Sequence, residues 1–161
     1  MPDSKAAGMT EKITTDRGGV RYSINSDKVI DLSSNNELSE RTAGLHGAEK
    51  NKEIQRYILE VLLEQPIMLS DGSEAVVDRR DALHIANRAG VEKTAQIAEI
   101  KRLVETAVLC ASDTKAGHNK FSEFWYYKAE VRFKGQEFPL YVNVGKAIND
   151  GTYHIYDITK K

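Results

Sequence analysis

One cysteine, three prolines and a single tryptophan stand among 161 residues. A lone thiol excludes an internal disulfide framework, and without partner cysteines it excludes a thiolate zinc cluster. Cys110 reads as a small apolar side chain closing a helix. An excess of either charge is also missing: the net charge is −1 with 29% of residues charged. That argues against a passive nucleic-acid binder held by overall basicity. It leaves room for an RNA-acting enzyme, which needs only a local basic cleft. No apolar run approaches the roughly 18 residues of a membrane span, and no charged-then-apolar signal opens the chain. The chain therefore reads as soluble, with no membrane anchor. Signatures of bound groups are lacking too. "DRGGVRY" has no Lys-Ser/Thr ending for a phosphate loop, no HExxH or clustered His/Asp/Glu set points to zinc, and no G-x-S-x-G elbow appears. No metal and no cofactor is expected.

The hydrophobic fraction is 40%, enough for one domain with a true core. Residues 1–45 are polar, and "VRYSI" is their one β-like run. They read as a linker or loosely ordered arm that adds little to stability. Residues 46–161 read as a single domain. "AEKNKEIQRYILEVLLEQP" places Ile54, Tyr57, Ile58, Val61 and Leu62 at helical spacing, and Pro66 ends the helix. "IMLSDGSEAVV" predicts two short strands about the turn Asp71-Gly72. Asp81 is the expected N-cap of a short helix, "ALHIANRA", stopped by Gly90, so Arg79 and Arg80 fall at a strand end and His84 in the opening turn. "VEKTAQIAEIKRLVETAVLC" predicts one long helix buried through Ile97, Ile100, Leu103, Val104, Ala107 and Val108. After the polar loop "ASDTKAGHNK" the period becomes two. "SEFWYYKAEVRF", "QEFPLYVNVG" and "TYHIYDIT" are strands, the first two joined at Lys134-Gly135. The fold class is α+β: N-terminal helices with a small hairpin, packed on a C-terminal antiparallel β-meander.

A glycine-bounded histidine segment, a helix ending "LVETAV" and an aromatic meander closing on "IYDI" resemble one family over roughly residues 64–159. It is the barnase/EndoU/colicin-D/RelE-like nuclease superfamily, as found in C-terminal domains of phage-associated polyvalent proteins and bacterial polymorphic toxins. "GGVRYSI" is similar to linker text of such large proteins. The resemblance implies a nuclease-like toxin domain over residues 46–161. It would be delivered as part of a larger secreted protein, act in the target-cell cytoplasm, and be neutralised by a cognate immunity protein. The implied reaction is metal-independent cleavage of RNA, tRNA among the candidate substrates, by attack of a 2′-hydroxyl on the adjacent phosphorus. Such chemistry needs a base, an acid and fixed positive charge.

The candidate groups each have a plainer reading. His84, behind Arg79 and Arg80, is the expected base, with the arginines on the scissile phosphate; otherwise it is a half-buried helix residue and the arginines a solvated strand end. His154 shares a strand face with Thr152 and Tyr156, and is the expected acid, with Thr152 a lesser phosphate contact; otherwise the face is merely exposed. Ile155 and Ile158 fall on opposite sides of that strand and leave the buried face open. His118 and Lys120 lie in a polar loop that is either solvated or presented to substrate. Phe124 and Tyr126 share one face and Trp125 and Tyr127 the other. Core packing explains one pair, and base stacking is open to the other, with Tyr127 the substrate-binding candidate. His46 is assigned nothing. Two further classes stay open: an ADP-ribosyltransferase-like domain drawing on Glu123, Glu130 or Glu137, and a non-catalytic accessory module of a phage or conjugative-element protein.

Overall fold

The computed structural model describes residues 29–114 and 117–160, together with the backbone of residues 10–14 and 20–24. Its longest feature follows from strict alternation. Strands β7 (Phe121–Phe133) and β8 (Gln136–Ala147) pair antiparallel, closed by Phe133 opposite Gln136. The two residues between them, Lys134 and Gly135, have φ of 51° and 80°. Positive φ at both turn positions matches the right-handed twist of the flanking strands. β9 (Tyr153–Thr159) adds to the far side of β8. β6 (Val108–Thr114) and the two-residue β3 (Ile30–Asp31) share the other edge of β7, antiparallel and parallel respectively. The sheet is thus five-stranded and antiparallel-rich, where a three-stranded meander was expected.

Helices occupy the N-terminal half, as the α+β reading requires. α1 (Glu37–Arg41) and α2 (Gly47–Val61) precede a hairpin of β4 (Ile67–Met68) and β5 (Glu74–Ala75). Then come α3 (Arg79–Ala86), α4 (Val91–Ala98) and α5 (Ile100–Thr106). Ile54, Tyr57 and Ile58 of α2 and Ile97, Ile100, Leu103 and Val104 of α4 and α5 pack on Ala129, Val131, Leu140, Val142, Val144, Ile155 and Ile158 of the sheet. A smaller cluster of Phe121, Phe124 and Ala147, with Tyr126 and Tyr156 against it, lies apart.

Four expectations are corrected here. The long helix 91–110 breaks at Glu99, where the Ala98 carbonyl accepts from the Tyr57 hydroxyl (2.6 Å) and Asn35 Nδ2 (3.1 Å). It ends at Thr106, so Cys110 lies in β6 and not at a helix end. The polar segment after it is strand to Thr114. The presumed arm is integral from residue 30 onward: Ile30, Leu32, Leu38 and Thr42 are buried. Arg41 also anchors α1 on α2, pairing with Glu53 (2.6 Å) and Glu60 (3.0 Å). "VRYSI" is β2 (Val20–Ile24), paired with β1 (Thr10–Thr14). The rest of residues 1–28 lies outside the described residues. Among the described residues no helix is long and apolar enough to cross a membrane.

Candidate functional site

The opening of α3 builds the site. "DRRD" is a capping box: Asp78 Oδ1 accepts from the Asp81 N–H (2.8 Å) and Asp81 Oδ2 from the Asp78 N–H (3.0 Å). Two orphan N–H groups are thereby satisfied. The helix starts three residues earlier than the reading that capped it with Asp81. Arg79 and Arg80 therefore sit inside its first turn, and His84 in its last turn. The positive end of the helix dipole accordingly faces Asp78 and Asp81, not His84.

The segment before the cap is pinned to β9. Val76 N donates to the Tyr153 carbonyl and Ile155 N to the Val76 carbonyl, each at 2.9 Å. This lays the first turn of α3 against His154, whose Nδ1 is 2.7 Å from Asp81 Oδ2. Asp81 is 1% exposed, and its other oxygen accepts from Lys120 Nζ at 3.3 Å. With a carboxylate accepting at Nδ1, the proton of a neutral ring sits there and Nε2 keeps a lone pair. Asp78 stands 3.8 Å from the same ring nitrogen. Burial pushes its carboxyl up, yet the hydrogen bonds from Asp81 and the charges of Lys120 and His154 outweigh burial and hold it below the ordinary range.

His118 Nδ1 accepts from the backbone N–H groups of Lys120 (3.0 Å) and Phe121 (3.1 Å), which leaves Nε2 as the N–H of the neutral ring. His84 stacks on Tyr156, with centroids 4.2 Å apart and planes at 22°. Its Nε2 lies 3.5 Å from Asp157 Oδ2. The strand question left open at Ile155 and Ile158 is resolved by a bulge. Asn143 pairs with Asp157 and Val144 with Ile155, so Tyr156 is the extra residue and both isoleucines reach the core. Burial pushes the Tyr156 phenol up, with Asp157 and Asp81 adding to it.

These groups line two adjoining lobes of one open cleft. One, of about 360 Å³, is walled by Arg80, Asp81, His84, His118 and Tyr156; the other, of about 410 Å³, by Asp78, Asp150, Ile148 and His154. Arg80, Asn119 and Lys120 belong to both. His84, His154, Arg80, Lys120 and His118 thus converge, and three candidates do not. Arg79 is exposed, lines neither lobe, and offers its carbonyl to Gln55. Thr152 closes the β8–β9 loop, its N–H donating to Asp150 Oδ1 (2.9 Å). Tyr127 is core, 2% exposed, with its hydroxyl 3.2 Å from both Asp71 oxygens; burial, ahead of Asp71, pushes its phenol up. Glu123, Glu130 and Glu137 pair along the sheet with Lys146, Lys128 and Arg132, and none lines the cleft.

The sequence reading missed the part played by Asp78 and Asp81. The D-x-x-D spacing was the available signal for the cap, but nothing local ties it to a histidine 73 residues away. Asp78, Asp81 and His154 each offer a ligand atom, all within 4.8 Å of one another. The cation already seated on Asp81 is the Lys120 ammonium.

A family model, large polyvalent protein-associated domain 3, matches residues 48–156. The chain belongs to that family. No curated protein and no solved structure gives a significant match. The large polyvalent protein-associated domain 3 match runs from α2 into β9 and takes in every residue lining the cleft, whereas β3 and α1 precede it. It agrees with the polyvalent-protein side of the expected kinship.

Proposed function

We propose that this polyvalent protein-associated domain is a metal-independent endoribonuclease of the barnase/EndoU/colicin-D/RelE-like kind. The observation that carries the reading is the Asp81–His154 pair set beside Lys120 and Arg80 in one cleft. A buried carboxylate holding Nδ1–H fixes the ring and turns Nε2 into a proton acceptor, the arrangement an imidazole base requires.

In the proposed reaction His154 Nε2 takes the proton of the 2′-hydroxyl as its oxygen bonds to phosphorus. The bond from phosphorus to the 5′-oxygen breaks. That oxygen takes a proton from the Lys120 ammonium, leaving a 2′,3′-cyclic phosphate and a 5′-hydroxyl. Arg80 supplies a planar fork for the phosphate oxygens, and the neutral His118 offers Nε2–H as a further donor. Asp81 is a positioning residue, its carboxylate bonded to His154, Lys120 and the Asp78 N–H. Release from a larger protein, a target-cell cytoplasm and neutralisation by an immunity protein complete the toxin reading.

The test is incubation of the purified chain with single-stranded RNA and tRNA in excess chelator. The expected products carry 2′,3′-cyclic phosphate and 5′-hydroxyl ends, formed at the same rate with or without chelator. Intact RNA, alongside label passed from a nicotinamide dinucleotide to a macromolecule, would replace this reading with the transferase. Intact RNA with no transfer would leave the accessory module.

A further inference from the structure

We propose that His84, laid on Tyr156, is a stacking platform for a nucleobase, so that the cleft takes a single-stranded nucleic acid with one base unstacked against it. This rests on the nucleic-acid reading of the cleft and adds where the strand is gripped.

The His84 side chain is 42% exposed although one ring face lies on Tyr156. The exposure therefore belongs to the opposite face and the ring edge, which front the lobe shared with Arg80, Asn119 and Lys120. The support beneath is rigid. Tyr156 meets Phe121 edge-on at 5.1 Å and 74°, Phe124 at 5.3 Å and 56°, and His118 at 6.0 Å and 84°. It is also the bulged residue of β9, which turns its ring out of the main core. The imidazole is pinned at its edge by Asp157, and that carboxylate is itself held by Lys93 Nζ (2.9 Å) and the Ile158 N–H (2.8 Å).

A flat ring with one face covered, one open and its rotation pinned is what a base needs to stack on. Arg80 and Lys120 alongside supply charge for the flanking phosphates. Duplexed bases are already stacked on both sides, so the platform selects an unpaired strand. His84 thereby differs from His154: its nitrogen partner is Asp157 of β9, whereas that of His154 is Asp81.

The experiment uses the full chain and a fluorescent 2′-O-methyl RNA hexamer, which has no 2′-nucleophile and is not cut, beside cleavage kinetics on the unmodified hexamer. His84→Ala should weaken hexamer binding by roughly 10- to 100-fold, the usual cost of one lost base stack. His84→Phe, which keeps a ring and loses both nitrogens, should restore most of it. In cleavage, the His84→Ala loss should fall on KM far more than on kcat. Hexamer binding that is indifferent to His84→Ala overturns the platform. So does a His84→Phe protein with native KM and a kcat as low as that of His84→Ala, which would make the imidazole a proton carrier. A native chain that binds the hexamer with this His84 dependence, yet leaves RNA intact, refutes the ribonuclease and keeps the platform. A native chain that does not bind the hexamer refutes the platform.

Discussion

Asp81 serves three partners with one buried carboxylate: the N–H of Asp78, the ring of His154 and the ammonium of Lys120. A buried charge is tolerable only when its lone pairs are filled, and here the Asp78 N–H, the His154 ring and the Lys120 ammonium fill them. A change at Asp81 would therefore disturb the α3 cap and the His154 ring together. Close packing supports the site from the sheet side as well. A Cβ on Gly145 would come within 2.7 Å of the Phe121 ring, and Phe121 is fully buried beneath Tyr156. Gly145→Ala should cost roughly 1–3 kcal/mol by overpacking. It should also disturb the Tyr156 ring, which a fall in the urea midpoint together with altered aromatic proton shifts would detect. An unchanged midpoint would mean that Phe121 swings clear.

At the scale of elements, the cap of α3 ties stability to pH. The folded-state carboxyl of Asp78 sits below its ordinary value, so the stability it confers is present above about pH 4 and is lost as pH falls through the lower folded value. Asp78→Asn keeps a capping oxygen but cannot titrate. Urea unfolding at pH 5 and pH 3 should show a smaller acid loss in this variant than in the native chain, and equal losses would contradict the assignment. α1 makes a second prediction. Leu38 is fully buried, so Leu38→Ala should cost roughly 2–5 kcal/mol. Deleting residues 1–40 should be more damaging still, although composition alone read them as an arm. The reason that reading failed is that three apolar residues, Ile30, Leu32 and Leu38, are spaced too irregularly to show a period, and tertiary placement alone buries them. α2 and strands β7 to β9 were legible because their periods of 3.6 and two run long enough to stand out. The break at Glu99 was not, since it depends on Asn35 and Tyr57 reaching the Ala98 carbonyl from elsewhere in the chain. Nor was the bulge at Tyr156, which let Ile155 and Ile158 both face inward against simple alternation.

Across the whole molecule, charge is nearly balanced at −1, and the cleft itself sets Arg80 and Lys120 beside the carboxylates of Asp78, Asp81 and Asp150. If Arg80 and Lys120 are the phosphate contacts of the proposed nuclease, single-strand RNA binding should show a shallow salt dependence, roughly −1.4 in log–log slope. Of the candidates legible along the chain, five meet in that cleft, and Arg79, Thr152 and Tyr127 fall outside it. Residue chemistry was visible in the sequence; the pairing of α3 with β9 that gives His154 its carboxylate was not, because it joins distant segments through the Val76 backbone. The large polyvalent protein-associated domain 3 match spans these segments together. The most direct test is therefore the rate of RNA cleavage by His154→Ala, Asp81→Asn and the double variant, each first checked for folding by circular dichroism. Each single change should lower the rate roughly 10²–10⁴-fold, and the double variant little further, because the two groups act as one unit. A folded His154→Ala protein that cuts RNA at the native rate would contradict the account.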